Sequence, residues 1–210
     1  MLAPFAWIAG IVAPTRCAGC DALGSTLCEY CLAACMRHTP VTRAAKSGAP
    51  FTVALGPYSG ALARAIRRIK FGGRCDVAHT LGCFLAGSIA LSLDMVVPMP
   101  LHPARMRERG FNQAALIARA VAATLGVALE NQAVVRTNAT APQSRLPLAA
   151  RRANVRDAFG AGRRATRVLG RRVLIVDDVV TTGSTLASCA AALHSSGAAA
   201  VIGAALAIRL

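Results

Sequence analysis

The stretch Val173-Leu174-Ile175-Val176-Asp177-Asp178-Val179-Val180-Thr181-Thr182-Gly183-Ser184-Thr185 states a fold position and a ligand together. Its first four residues are apolar without alternation, as in a parallel strand buried on both faces. Asp177 and Asp178 then stand at the carboxyl edge of the expected sheet, where open α/β folds bind ligands. Small hydroxyl residues follow around Gly183, and Leu186, Cys189, Ala190 and Leu193 mark the buried face of a helix that Ser184 or Thr185 is expected to cap. Amide groups at a helix start favour a phosphate, and a glycine lets the backbone approach it. Adjacent carboxylates would repel a bare anion, so they suit sugar hydroxyls or a divalent cation. Together these features imply a ribose 5-phosphate.

Working outward, the other segments supply a sheet and a second anion site. Strands are expected at Phe51–Leu55, Met95–Met99 and Val201–Ile208, and helices at 61–69, 78–91 and 113–125, with Gly56 to Gly60 as a turn. The segment Pro100-Leu101-His102-Pro103-Ala104-Arg105-Met106-Arg107-Glu108-Arg109-Gly110-Phe111-Asn112-Gln113 reads as a rigid basic loop on the same sheet edge as the carboxylates. Three arginines at alternate positions cannot all share one helix face, but on a loop Arg105, Arg107 and Arg109 can converge on a pyrophosphate. Lys70, before Gly72 and Gly73, can point into the same anion site. Residues 136–159 are polar and long for a connection, and read as a loop that covers substrate.

Cys17-Ala18-Gly19-Cys20 and Cys28-Glu29-Tyr30-Cys31 are two C-x-x-C knuckles. Two thiolates from each complete a tetrahedral, structural zinc site in a compact ribbon. Cys35 is a spare that could replace Cys31, and His38 is a weaker candidate. A polar linker over 36–50 divides a zinc-ribbon region, 1–45, from a larger domain, 46–210.

The chain has 210 residues and a net charge of +15, with Lys46 and Lys70 its only lysines. Such a balance fits a polyanionic partner, though an Arg- and Ala-rich composition bias accounts for it equally. Apolar runs at 81–97 and 198–208 are interrupted or short, so no membrane insertion is expected, and free or metal-bound cysteines point to the cytoplasm.

The stretch at 173–185 resembles the 5-phosphoribosyl-1-pyrophosphate (PRPP) signature of type I phosphoribosyltransferases. With the four-cysteine ribbon, P-L-H-P-A-R-M-R-E-R-G-F-N-Q-A at 100–114, T-A-P-Q-S-R-L at 140–146 and R-R-A-N-V-R-D-A-F at 151–159, the chain resembles the ComF (ComFC-like) family, whose members carry a phosphoribosyltransferase domain. The resemblance implies a mostly parallel sheet flanked by helices, with PRPP bound by Asp177, Asp178, Val180, Thr181, Thr182, Gly183, Ser184 and Thr185. It implies pyrophosphate on Leu101, His102, Arg105, Arg107, Arg109 and Lys70, with magnesium bridging, and Gln143 and Arg151 in a closing loop that joins the acidic pair in catalysis. It also implies DNA uptake in competence, with single-stranded DNA and a helicase-like ATPase as partners; oligomerisation is left open. Two functions stand side by side: a glycosyltransferase using PRPP on an unidentified acceptor, and a non-catalytic module that holds nucleic acid or a partner protein.

Overall fold

The computed structural model describes residues 14–36, 40–43, 49–137 and 158–209. In chain order the elements are α1 (Glu29–Met36), β1 (Val41–Arg43), β2 (Thr52–Pro57), α2 (Gly60–Gly72), α3 (Cys75–Gly87), β3 (Met95–Pro98), α4 (Pro103–Arg109), α5 (Gln113–Leu125), β4 (Ala128–Leu129), β5 (Val134–Arg136), β6 (Phe159–Ala161), β7 (Arg172–Val180), α6 (Ser184–Ser195) and β8 (Ala200–Ile208). Six strands form one sheet in the order β1-β2-β8-β7-β3-β4, parallel except for β1.

The apolar run of β7 is central, and its two-residue period divides the core. Leu174 and Val176 pack with Leu62, Ile66, Ile69, Leu81 and Ile117 of α2, α3 and α5. Val173 and Ile175 pack with Leu186, Cys189 and Leu193 of α6. Helices on both faces bury the sheet and leave its carboxyl edge for a ligand. The cysteine segment joins the first of these clusters: Cys17, Leu27, Cys31 and Cys35 are buried with α2.

Several boundaries differ from the sequence reading, each for a reason of pairing. β2 continues through Gly56 and Pro57, expected as a turn, because they pair with Ala207 and Ile208 of β8. β8 lies between β2 and β7. The linker expected over 36–50 contains β1, which pairs antiparallel with β2. α2 extends past Ile69 to Gly72, so Lys70 is in its last turn, and Gly73 ends it at φ 60°. α3 spans Cys75–Gly87 rather than 78–91. The ends of the expected covering loop pair as an antiparallel ribbon, β5 with β6, matching Arg136 to Phe159.

The largest correction concerns the basic loop. Residues 103–109 are helical: Pro103 occupies the first turn, His102 caps it by accepting the Ala104 N–H on Nδ1 at 3.2 Å, and Gly110 ends it with φ 76°. Proline's fixed φ and missing N–H suit a helix start, which outweighed its reading as loop rigidity.

Candidate functional site

β7 extends two residues beyond the acidic pair, so both carboxylates belong to the strand and fall on opposite faces. Asp178, on the α2 face, is buried, and its Oδ1 lies 2.9 Å from Lys70 Nζ. Its Oδ2 is buried and has no hydrogen-bond partner among the described residues. Asp177, on the α6 face, accepts the Asp178 N–H on Oδ1 at 2.8 Å. Burial, and next the Asp178 charge, push the Asp177 carboxyl up to about 7, against the pull of the Asp178 N–H, Lys70 and Arg136. Lys70 thus offsets the charge of Asp178, and burial beside that charge favours the protonated form of Asp177.

After Val180 the chain turns through Thr181 and Thr182 into α6. Gly183 stands at the cap with φ 83°, a left-handed conformation that favours glycine. No side chain of Ser184 or Thr185 caps the helix; instead the Thr182 hydroxyl accepts the Ser184 N–H at 3.3 Å and lies 2.8 Å from Ser184 Oγ. A cleft of about 230 Å³ opens over this turn. Asp177, Asp178, Thr181 and Thr185 form its floor, Lys70, Arg105, Arg109 and Arg136 its charged wall, and Leu101 and Gln113 the side nearest β3.

The helical form of α4 sorts the arginines that a loop would have let converge. Arg105 and Arg109, four apart, share a face and line the cleft; Arg107 is exposed and does not line it. His102, spent on capping, does not line it either. Arg109 also stacks on the exposed Phe71 ring at 5.4 Å. Val180 is buried beneath the turn, and Thr182, Gly183 and Ser184 shape it without lining the cleft. Gln143 and Arg151 lie outside the described residues. Sequence reasoning gave Arg136 no role beyond opening a loop, yet β5 brings it to the cleft wall with its guanidinium 5.4 Å over Phe159. Burial, then Arg105, lower its pKa, with Asp177 opposing. The signal that could have found Arg136 is the short apolar run Ala133-Val134-Val135 before it, which marks a strand.

The second cluster is the cysteine site. The Sγ atoms of Cys17, Cys20, Cys28 and Cys31 all lie within 4.8 Å of one another, and Cys20 and Cys28 are 3.6 Å apart. A tetrahedral S4 zinc site with bonds of about 2.3 Å spaces its sulfurs by about 3.8 Å, so the donor set fits zinc in number, kind and spacing. Burial raises the Cys17 thiol, but the N–H groups of Cys28 and Gly19, each 3.3 Å from its sulfur, help hold it down to about 6. Cys31, buried beside the other sulfurs, is pushed up, so its thiolate depends on a cation. Gly19 is needed here because a Cβ would sit 2.5 Å from Cys31 Sγ. Cys35, 1% exposed, is outside the cluster. The ribbon is small: a bridge from Arg16 to Leu23 and the α1 helix. Arg64 Nε donates to Gly19 O, and Arg68 pairs with Asp21 at 2.6 Å, which fastens the ribbon to α2.

The chain is similar to several known proteins. The phosphoribosyl transferase domain family matches residues 110–209. DNA utilization protein YhgH of Escherichia coli (strain K12) is 36% identical over 196 residues, covering 88% of this chain and 85% of that protein. Competence protein F of Haemophilus influenzae is 34% identical over 142 residues, 64% of this chain and 62% of that protein. The chain belongs to the ComF family of phosphoribosyltransferase-domain proteins. Its fold is accordingly of the type I phosphoribosyltransferase class, with a four-cysteine ribbon at the amino end. Among solved structures, adenine phosphoribosyltransferase from Thermoanaerobacter pseudethanolicus is similar at TM-score 0.42 and 18% identity, covering 67% of this chain and 84% of that one. In this ComF-family chain Lys70, Arg105 and Arg109 precede the matched segment, and Arg136, Asp177 and Asp178 lie within it. Among the described residues no helix is long and apolar enough to cross a membrane.

Proposed function

We propose that this protein binds PRPP with magnesium and transfers its 5-phosphoribosyl group to a nucleophilic acceptor. The observation that carries the reading is the pairing, in one cleft, of a buried unpartnered acceptor, Asp178 Oδ2, with the cations Lys70, Arg105, Arg109 and Arg136. A ligand that satisfies both must bring hydrogen-bond donors and several negative charges. A pyrophosphorylated sugar brings both.

In this reading the turn at Thr181 to Thr185 takes the 5-phosphate, through its amides and hydroxyls at the start of α6. Asp177 and Asp178 accept hydrogen bonds from ribose hydroxyls, and Leu101, Arg105 and Arg109 surround the pyrophosphate. The acceptor attacks C1 as the bond from C1 to the pyrophosphate oxygen breaks, and fixed cations stabilise the charge that gathers on the leaving group. Magnesium, when bound, neutralises part of that charge. Gln143 and Arg151 belong to the segment that closes over the reacting atoms and excludes water. A cluster of reduced cysteines suits the cytoplasm as the place of work. Calorimetry with magnesium and PRPP, followed by assay of pyrophosphate release with nucleobases and single-stranded DNA, tests the reading; absence of PRPP binding sinks it.

A second observation favours a nucleic-acid role for another surface. A groove of about 400 Å³ between the ribbon and α2 is lined by Arg64, Arg67, Arg68 and Phe71, the last 76% exposed. Cations beside an open aromatic ring suit a single strand, and the names of the YhgH and Competence protein F relatives concern DNA utilization and competence. Arg64 and Arg68 already hold the ribbon, so Arg67 and Phe71 would carry most of such binding.

A further inference from the structure

A second buried acceptor belongs to a residue that lines the cleft. Gln113, the first residue of α5, lines the cleft and is 5% exposed, and among the described residues its Oε1 has no hydrogen-bond partner. A buried amide oxygen is rarely left unpaired in a folded protein, so a bound ligand is the natural source of its donor.

Leu101, Arg105 and Arg109 line the same cleft, and the reading above gives them the pyrophosphate. Guanidinium groups only donate, and so match phosphate oxygens. A fully ionised pyrophosphate only accepts and cannot satisfy Gln113 Oε1. The donors that such a group carries are the waters on its divalent cation, since magnesium keeps several of its waters when it binds to phosphates. Asp178 Oδ2, the other unpartnered acceptor in the cleft, is suited to the same shell.

We infer that Gln113, together with Asp178, holds the water shell of the magnesium ion carried by the pyrophosphate group, so that Gln113 selects the magnesium complex over the free anion. The inference rests on the PRPP reading and names a binding residue within it.

The test uses the zinc-loaded full chain and calorimetry at pH 8, with inorganic pyrophosphate alone, pyrophosphate with magnesium, and ribose 5-phosphate as probes. Gln113→Leu keeps roughly the volume and removes the acceptor. We expect it to weaken magnesium pyrophosphate by roughly tenfold, the effect of about one hydrogen bond, and to change metal-free pyrophosphate and ribose 5-phosphate by less than about twofold. Gln113→Glu, which keeps an acceptor, should retain binding of the magnesium complex; its folding and that of the leucine variant are checked by thermal melting. Equal losses with and without magnesium overturn the inference, because the amide would then donate to phosphate directly. A loss confined to ribose 5-phosphate overturns it in favour of a sugar contact, and no loss at all overturns it outright. If native protein binds magnesium PRPP and the variant loses nothing, this inference alone falls; if native protein does not bind PRPP, both fall.

Discussion

Replacing Asp177 by asparagine should stabilise the ligand-free protein while weakening its hold on PRPP. Asn keeps the volume of Asp177 and an oxygen able to accept the Asp178 N–H, now 2.8 Å away. It removes a carboxyl whose pKa, raised first by burial and next by Asp178, stands at about 7 against 3.8 for a free side chain. Between those values the folded protein retains a proton that the unfolded chain has released. Stability therefore falls as pH rises through that window and levels off above it. At 1.36 kcal/mol per pH unit the gap corresponds to about 4 kcal/mol; the side of Asp177 open to the cleft reduces this to roughly 2 kcal/mol. Urea unfolding of zinc-loaded protein without magnesium or PRPP should show Asp177→Asn more stable than native by about that amount at pH 8, and nearly equal near pH 4. Calorimetry on the same variant should show weaker binding of magnesium PRPP. An Asp177→Asn protein no more stable than native at pH 8, or equally stabilised at both pH values, would refute the reasoning.

Three further outcomes are expected. Metal analysis should find about one zinc per chain, as four thiolates per ion require, and Cys35→Ser should leave it bound while the ligand change Cys17→Ser releases it; retention of the full metal content by Cys17→Ser would exclude the four-cysteine assignment. Arg105→Gln and Arg109→Gln should each weaken pyrophosphate binding by about tenfold, and Arg107→Gln by less than about twofold, because α4 turns Arg107 away from the cleft; equal losses at all three positions would restore a convergent loop. Single-stranded DNA should bind without sequence preference and with an affinity that falls steeply as salt rises, and Arg67→Gln should weaken it without affecting PRPP. Competition between magnesium PRPP and DNA would place the strand at Arg105 and Arg109 instead.

What the sequence by itself determined is local. The unbroken apolar run before Asp177, the glycine at 183 and the apolar spacing of α6 lie close enough in the chain for strand, turn and helix to be read from short-range sterics. Cysteine spacing likewise states a four-sulfur shell, because each knuckle brings two sulfurs together whatever surrounds it. In the 103–109 segment the local signals competed: alternate arginines favoured convergence on a loop, while a capping His102, Pro103 and a terminal Gly110 favoured a helix, and the helix prevailed. The tertiary structure alone decided which charges meet. Lys70 reaches Asp178 because α2 crosses the face of β7 on which the even-numbered side chains lie. Arg136 reaches the cleft because β5 pairs with β6, Arg136 opposite Phe159, and Gln113 loses water because α5 begins against the end of β3. Burial and charge pairing depend on elements distant in sequence, and the order of strands in a sheet is not written in the period of any one of them.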